Sequence, residues 1–65
     1  MKRTDLIRYL EKRGCVFIRE GGSHTIFRNP LTGKMTSIPR HREVKEFLAK
    51  KICDDLGVQR PQDSK

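Results

Sequence analysis

Three short runs rich in β-branched and aromatic residues, cut apart by two clusters of turn formers, leave this chain few ways to fold. Cys15 to Glu20 is the first run, and it ends at Gly21-Gly22, a pair able to adopt the positive φ angles that tight hairpins require. Ser23 to Asn29 reads as a second strand. The cluster Asn29-Pro30-Leu31-Thr32-Gly33 then leads into a third, Lys34 to Ile38, whose weaker pattern and following Pro39 suit a sheet edge. The expectation is a three-stranded antiparallel meander. In the second strand, alternation places His24, Ile26 and Arg28 on one face and Ser23, Thr25 and Phe27 on the other. Each face carries one large apolar group, so alternation leaves the direction of His24 open.

Outside this stretch the apolar period is helical. Leu6, Ile7 and Leu10 form one stripe, with Thr4 as N-cap, Asp5 in the first turn, Lys12 and Arg13 in the last and Gly14 as a left-handed stop. This predicts a helix from Thr4 to Arg13 with Arg8 and Lys12 facing water or a partner. From Val44 the stripe Val44, Phe47, Leu48, Ile52 and Leu56 predicts a second helix stopped by Gly57, with Lys45, Lys50 and Lys51 on its other faces. Both stripes need the same sheet face to become buried. The result is an α+β fold in the order helix, three strands, helix (α-β-β-β-α), the layout of a double-stranded-RNA-binding-like domain. Residues 1–58 form that domain, and the polar segment 59–65, which contains Pro61, reads as a disordered tail.

Composition narrows the partners. In 65 residues, 15 Lys and Arg against 8 Asp and Glu give a formal charge of +7 and a pI near 10.0, which favours a polyanion: RNA, DNA or an anionic membrane. The longest apolar run, Cys15-Val16-Phe17-Ile18, is too short for a transmembrane helix or a signal peptide, so the expectation is a soluble, cytoplasmic chain with no membrane association. Cys15 and Cys53 then read as reduced, small hydrophobes rather than a disulfide.

The candidate chemistry centres on Gly21-Gly22-Ser23-His24. A flexible turn there delivers an imidazole, the side chain that titrates nearest neutrality, beside glycine amides that can approach a phosphate closely. Arg19, Arg28 and Arg40 are candidates for steadying that phosphate. Cys15, His24, His41 and Cys53 supply four possible metal ligands, but none lie two to four residues apart as structural zinc sites require, so no metal is expected. A Ser-His-Asp hydrolase is also poorly supported. Ser23 and His24, as neighbours on a strand, point to opposite faces, no nucleophile elbow is present, and Ser23 is expected to hydrogen-bond the turn.

The order of elements, Gly22-Ser23-His24 at the start of the second strand and Pro39-Arg40-His41 after the third resemble the HicA toxins, over Arg3 to Val58. The resemblance implies a small ribonuclease that cleaves messenger RNA without metal or other cofactor. It implies His24 as the catalytic residue of a Gly-Ser-His motif to which Gly22 and Ser23 also belong. It further implies neutralisation by a cognate HicB-like antitoxin that covers the active surface. His41 matches a His in the family's Pro-x-His segment, and spacing alone does not choose between phosphate binding and a structural role. The chain departs from many relatives at Phe47-Leu48, where they open the last helix with a Gly-Thr pair.

The ribonuclease reading needs little machinery, because RNA carries its own nucleophile in the 2′-hydroxyl and one His can accept that proton. A non-catalytic RNA-binding module is the alternative, since the same fold class recognises duplex RNA by shape. A sequence-specific DNA binder is disfavoured by the scarcity of Asn and Gln on the predicted helices. A protein-interaction domain whose charge meets an acidic partner is a third reading.

Overall fold

The five elements follow in the predicted order: α1 (Arg3–Lys12), β1 (Val16–Gly21), β2 (His24–Arg28), β3 (Met35–Pro39) and α2 (Glu46–Leu56). The computed structural model describes residues 1–61. The three strands form one antiparallel sheet in the order β1-β2-β3, so the fold is α+β, α-β-β-β-α, as the periodicities predict. In β1 the pairing slips between Phe17 and Arg19, a bulge that sets Ile18 and Arg19 against Ile26.

Burial decides which face of β2 is the inner one. Thr25 and Phe27 are each 2% exposed and Ile38, the partner of Thr25, is fully covered. Leu6 and Leu10 of α1 and Ala49, Ile52, Cys53 and Leu56 of α2 join Phe27 and Ile38 in a single apolar cluster. Both helices therefore lie on the same face, and His24, Ile26 and Arg28 belong to the opposite one. Phe17 meets the rim of this core, its ring edge-on to Phe27 at 6.3 Å between centroids.

Two local expectations are corrected. Thr4 is not the N-cap of α1. The helix begins one residue earlier, and the Arg3 N–H is satisfied by the Arg42 carbonyl at 2.9 Å, while Val44 N–H donates to the Met1 carbonyl at 2.8 Å. Backbone pairing between residues 1–3 and 42–44 thus supplies the partner that a Thr side chain was expected to provide. Phe47 is not in the core: it is 70% exposed. The buried stripe of α2 runs Ala49, Ile52, Cys53, Leu56, and Phe47, two residues before Ala49, lies about 200° around the helix from it at 3.6 residues per turn.

The far end of α2 is tied to the β2–β3 turn. The Leu56 carbonyl, left without a helical partner, accepts from Asn29 Nδ2 at 2.9 Å and Thr32 Oγ1 at 3.1 Å, and Asn29 Oδ1 accepts from the Leu31 N–H. Gly57 closes the helix at φ 74°, and a Cβ there would lie 3.1 Å from Thr32 Cγ2, so the close approach of turn and helix also requires glycine. Of the polar segment 59–65, residues 62–65 lie outside the described residues; Gln59 accepts a hydrogen bond from the Tyr9 hydroxyl at 2.7 Å, and Arg60 pairs with Asp54 at 2.7 Å. Cys15 and Cys53 are free thiols, both buried. Among the described residues no helix is long and apolar enough to cross a membrane.

Replacing Asn29 by Ala, which leaves the Leu56 carbonyl with one partner and the Leu31 N–H with none, is expected to cost about 1–3 kcal/mol in urea unfolding. An unchanged midpoint would show that water replaces both bonds. A second expectation concerns pH. Burial first, then the neighbouring Asp54 charge, push the Cys53 thiol up from 9.0 to about 11. A folded-state value raised above the unfolded one contributes stability that is complete below about pH 9 and is lost as pH rises toward 11. The unfolding midpoint of the wild type is therefore expected to fall more steeply over that range than that of Cys53→Ala. Parallel pH curves for the two proteins would contradict this.

Candidate active site

The site is built on the β1–β2 hairpin. Gly21 and His24 form its last rung, so only Gly22 and Ser23 make the loop, and Gly22 supplies the positive φ (64°) that a two-residue turn of this hand needs at its first position. Gly21 stays in the strand ladder. Ser23 belongs to the turn rather than the strand, so the strict alternation expected for Ser23 and His24 does not hold. Its Oγ lies 3.2 Å from His24 Nδ1. The hydroxyl therefore holds one ring nitrogen, and Nε2 has no hydrogen-bond partner among the described residues. The Ser23 carbonyl accepts the Arg40 N–H at 3.3 Å, which extends the β2–β3 ladder one step beyond the His24–Pro39 rung.

Behind the imidazole, on the inner face, a polar chain locks the strands together. Arg3 donates from Nε to the Pro39 carbonyl at 3.1 Å and from its guanidinium NH2 to Thr25 Oγ1 at 2.6 Å. Thr25, buried and paired with Glu20 across the ladder, donates its hydroxyl to the Glu20 carboxylate at 3.1 Å, and Arg40 closes the chain on Glu20 at 3.6 Å. The residues joined are those flanking the hairpin and the end of β3. Arg40 is thus partnered by a carboxylate as well as placed next to the site.

The other basic candidates divide. The Arg19 guanidinium folds back over Gly21, with one nitrogen 3.4 Å from where a Gly21 Cβ would stand. Gly21 and His24 are directly opposed, so Arg19 and the imidazole share one patch. Arg28 lies at the other end of β2, four residues and about 13 Å along the strand from His24. Its guanidinium rests near Gly33 instead.

His24 and His41 line one cleft of about 390 Å³ between the β3 edge and α2. Leu48 and Ile52 contribute apolar wall, and Lys51 and Asp55 bring charge from α2. Lys51 Nζ and Thr36 Oγ1 both reach Asp55 Oδ2, at 3.4 and 3.3 Å. Sequence reasoning missed Lys51, Asp55 and Thr36. No local pattern marks them, because their approach to His24 depends on how α2 packs over β3. Among the described residues no group of three or more His, Cys, Asp or Glu is gathered closely enough to hold a metal ion.

A family model described as the HicA toxin of bacterial toxin–antitoxin systems matches residues 3–58, nearly the whole of this fold. The chain belongs to the HicA family. It is therefore a toxin of a toxin–antitoxin system, and its class implies a cognate antitoxin as partner. No curated protein and no solved structure matches the chain significantly. In this HicA chain Gly22-Ser23-His24 forms the hairpin end and Pro39-Arg40-His41 lies directly beside it.

The polar chain behind the site is open to a direct check. Thr25→Val keeps the shape of a buried residue but removes the hydroxyl that joins Arg3 to Glu20, and is expected to lower stability by about 0.5–1.5 kcal/mol. Thr25→Ser should restore most of it. A valine variant as stable as the wild type would show that the hydroxyl contributes nothing to the lock.

Proposed function

We propose that this toxin is an endoribonuclease, an mRNA interferase that cleaves messenger RNA in the cytoplasm without a metal ion, using the RNA's own 2′-oxygen as nucleophile and His24 as the proton acceptor. The observation that carries this reading is the His24 ring itself: one nitrogen lies against the Ser23 hydroxyl, the other has no hydrogen-bond partner among the described residues, and the ring lines a cleft to which α2 brings the Lys51 ammonium beside Asp55. An intramolecular nucleophile already close to phosphorus removes much of the entropic barrier that attack by water would face. The protein need only deprotonate, position and neutralise.

Each task has a candidate group. His24 Nε2 takes the 2′-proton while the Ser23 hydroxyl, which can donate to or accept from Nδ1, follows the ring through its change of charge. Arg19, over Gly21, meets phosphate oxygens on the outer sheet face, and the exposed Gly22 backbone permits close approach of the sugar-phosphate chain. Arg40, held by Glu20, and Lys51, held by Asp55, add positive charge on the β3 side. Arg28 is too far along the strand to act on the same phosphate and serves a neighbouring one. Binding is therefore mainly electrostatic. A HicB-like antitoxin would silence the toxin by covering this surface.

His24→Ala is expected to keep the fold, since the ring is exposed, and to lose RNA cleavage by about 10²- to 10⁴-fold, the usual contribution of a general base. An RNA carrying one 2′-deoxy nucleotide just 5′ of the cut should bind normally and resist cleavage, while the intact RNA yields a 2′,3′-cyclic phosphate and a 5′-hydroxyl. Cleavage by the alanine variant at the wild-type rate, or products ending in 3′-hydroxyl and 5′-phosphate, would refute the reading. Wild-type protein that binds RNA without cutting it would instead mark a binding module.

A further inference from the structure

Cleavage by a 2′-oxygen needs two proton transfers, one at the nucleophile and one at the leaving group, and the reading above gives His24 only the first. The sequence offers one other imidazole, His41. Beyond the His24–Pro39 rung the ladder continues through the Arg40 N–H bond to the Ser23 carbonyl, so His41 follows two residues after Pro39. That bond holds the chain leaving β3 against the hairpin end, and His41 is the next residue along it. Both imidazoles border the same cleft, and both are exposed to it.

We propose that His41 is the second catalytic residue, the general acid that protonates the departing 5′-oxygen, with Lys51 neutralising the phosphorane between the two histidines. This rests on the ribonuclease reading and extends it. The step balances within the cleft. His24 removes the 2′-proton as the P–O2′ bond forms; the P–O5′ bond breaks, and its electron pair takes the proton carried by the His41 imidazolium. The products are a 2′,3′-cyclic phosphate and a 5′-hydroxyl, and exchange with water returns both imidazoles to their starting states.

The surroundings suit the two roles. His41 shares the cleft with His24 from β2 and with Lys51 and Asp55 from α2, and Arg40, Arg42 and Glu43 flank it in its own segment. Asp55 already accepts from Lys51 and Thr36, which fixes the ammonium on the cleft wall. A cation held there neutralises charge that develops on the non-bridging oxygens. The leaving oxygen of a 2′-transfer departs on the side opposite to attack, so base and acid belong on two different segments facing one cavity, as the β2 start and the β3 exit are here.

The test compares two RNA substrates that differ in one atom: the ordinary phosphodiester and one with sulfur in place of the bridging 5′-oxygen at the cut. A thiolate, whose conjugate acid has a pKa of about 8.5, leaves without being protonated, whereas an alkoxide does not. His41→Ala is expected to slow the ordinary substrate about 10²- to 10⁴-fold and the 5′-thio substrate less than about tenfold, while His24→Ala slows both. His41→Asn, which keeps polarity without a titrating proton, should behave as His41→Ala, and unchanged melting curves would show that both variants fold. Equal losses by His41→Ala on the two substrates, or no loss on either, would overturn the assignment while leaving His24 as base untouched. Failure of the wild type to cut either substrate would remove the ribonuclease reading, and His41 with it.

Discussion

The burial of Phe27 fixes where everything chemical in this toxin can be. Its ring is 2% exposed, packed edge-on to Phe17 and covered by the two helices, a burial that stabilises by about 1.5–3 kcal/mol. Because strand side chains alternate, seating Phe27 inward also seats Thr25 inward and sends His24, Ile26 and Arg28 out. A slip of one residue would bury the imidazole and Arg28 and expose Phe27, so the register is strongly specified by the core. The same apolar contact that holds the fold thus presents His24 on the outer side of the sheet.

The hairpin turns that presentation into a fixed geometry. With a loop of only two residues, Ser23 is forced against His24 and the Ser23 carbonyl against Arg40. Around them the basic residues sort into two groups. Arg3 and Arg40 are committed to Pro39, Thr25 and Glu20, whereas Arg19 borders the outer patch and Lys51, paired with Asp55, borders the cleft. The exposed Arg40–Glu20 pair contributes only about 0–1 kcal/mol. Its value is positional: it links the end of β3 to the hairpin through the buried Thr25 hydroxyl, where breaking the chain costs more than the pair itself.

Much of this was legible in the residues. The Gly21-Gly22 pair, the turn at Asn29 to Gly33 and the glycines after each helix marked the elements to within a residue or two, because those positions answer to local backbone chemistry. The Gly22-Ser23-His24 stretch, with Pro39-Arg40-His41 and the order of elements, already carried the resemblance to the HicA family. What was not legible depended on packing between distant segments. Thr4 looked like a cap until residues 42–44 proved to satisfy the helix start, and Phe47 fitted the helical stripe until Ala49 and Cys53, small and easily overlooked, turned out to define it. Alternation could not orient His24, since Ile26 and Phe27 weigh equally in sequence. Lys51 joins the cleft only because α2 crosses β3, which no spacing within either element encodes.

The central claim is that RNA is gripped and cut at the hairpin end of the sheet, between β3 and α2. Titrating isotope-labelled toxin with a short RNA made uncleavable by 2′-deoxy substitution, and following backbone and imidazole resonances by NMR, tests it most directly. The account predicts large shifts in the His24 and His41 rings and in Gly22, Arg19 and Lys51, with slow or absent turnover. Shifts confined to the Leu31–Gly33 turn and the exposed face around Phe47, with both imidazoles unmoved, would contradict it.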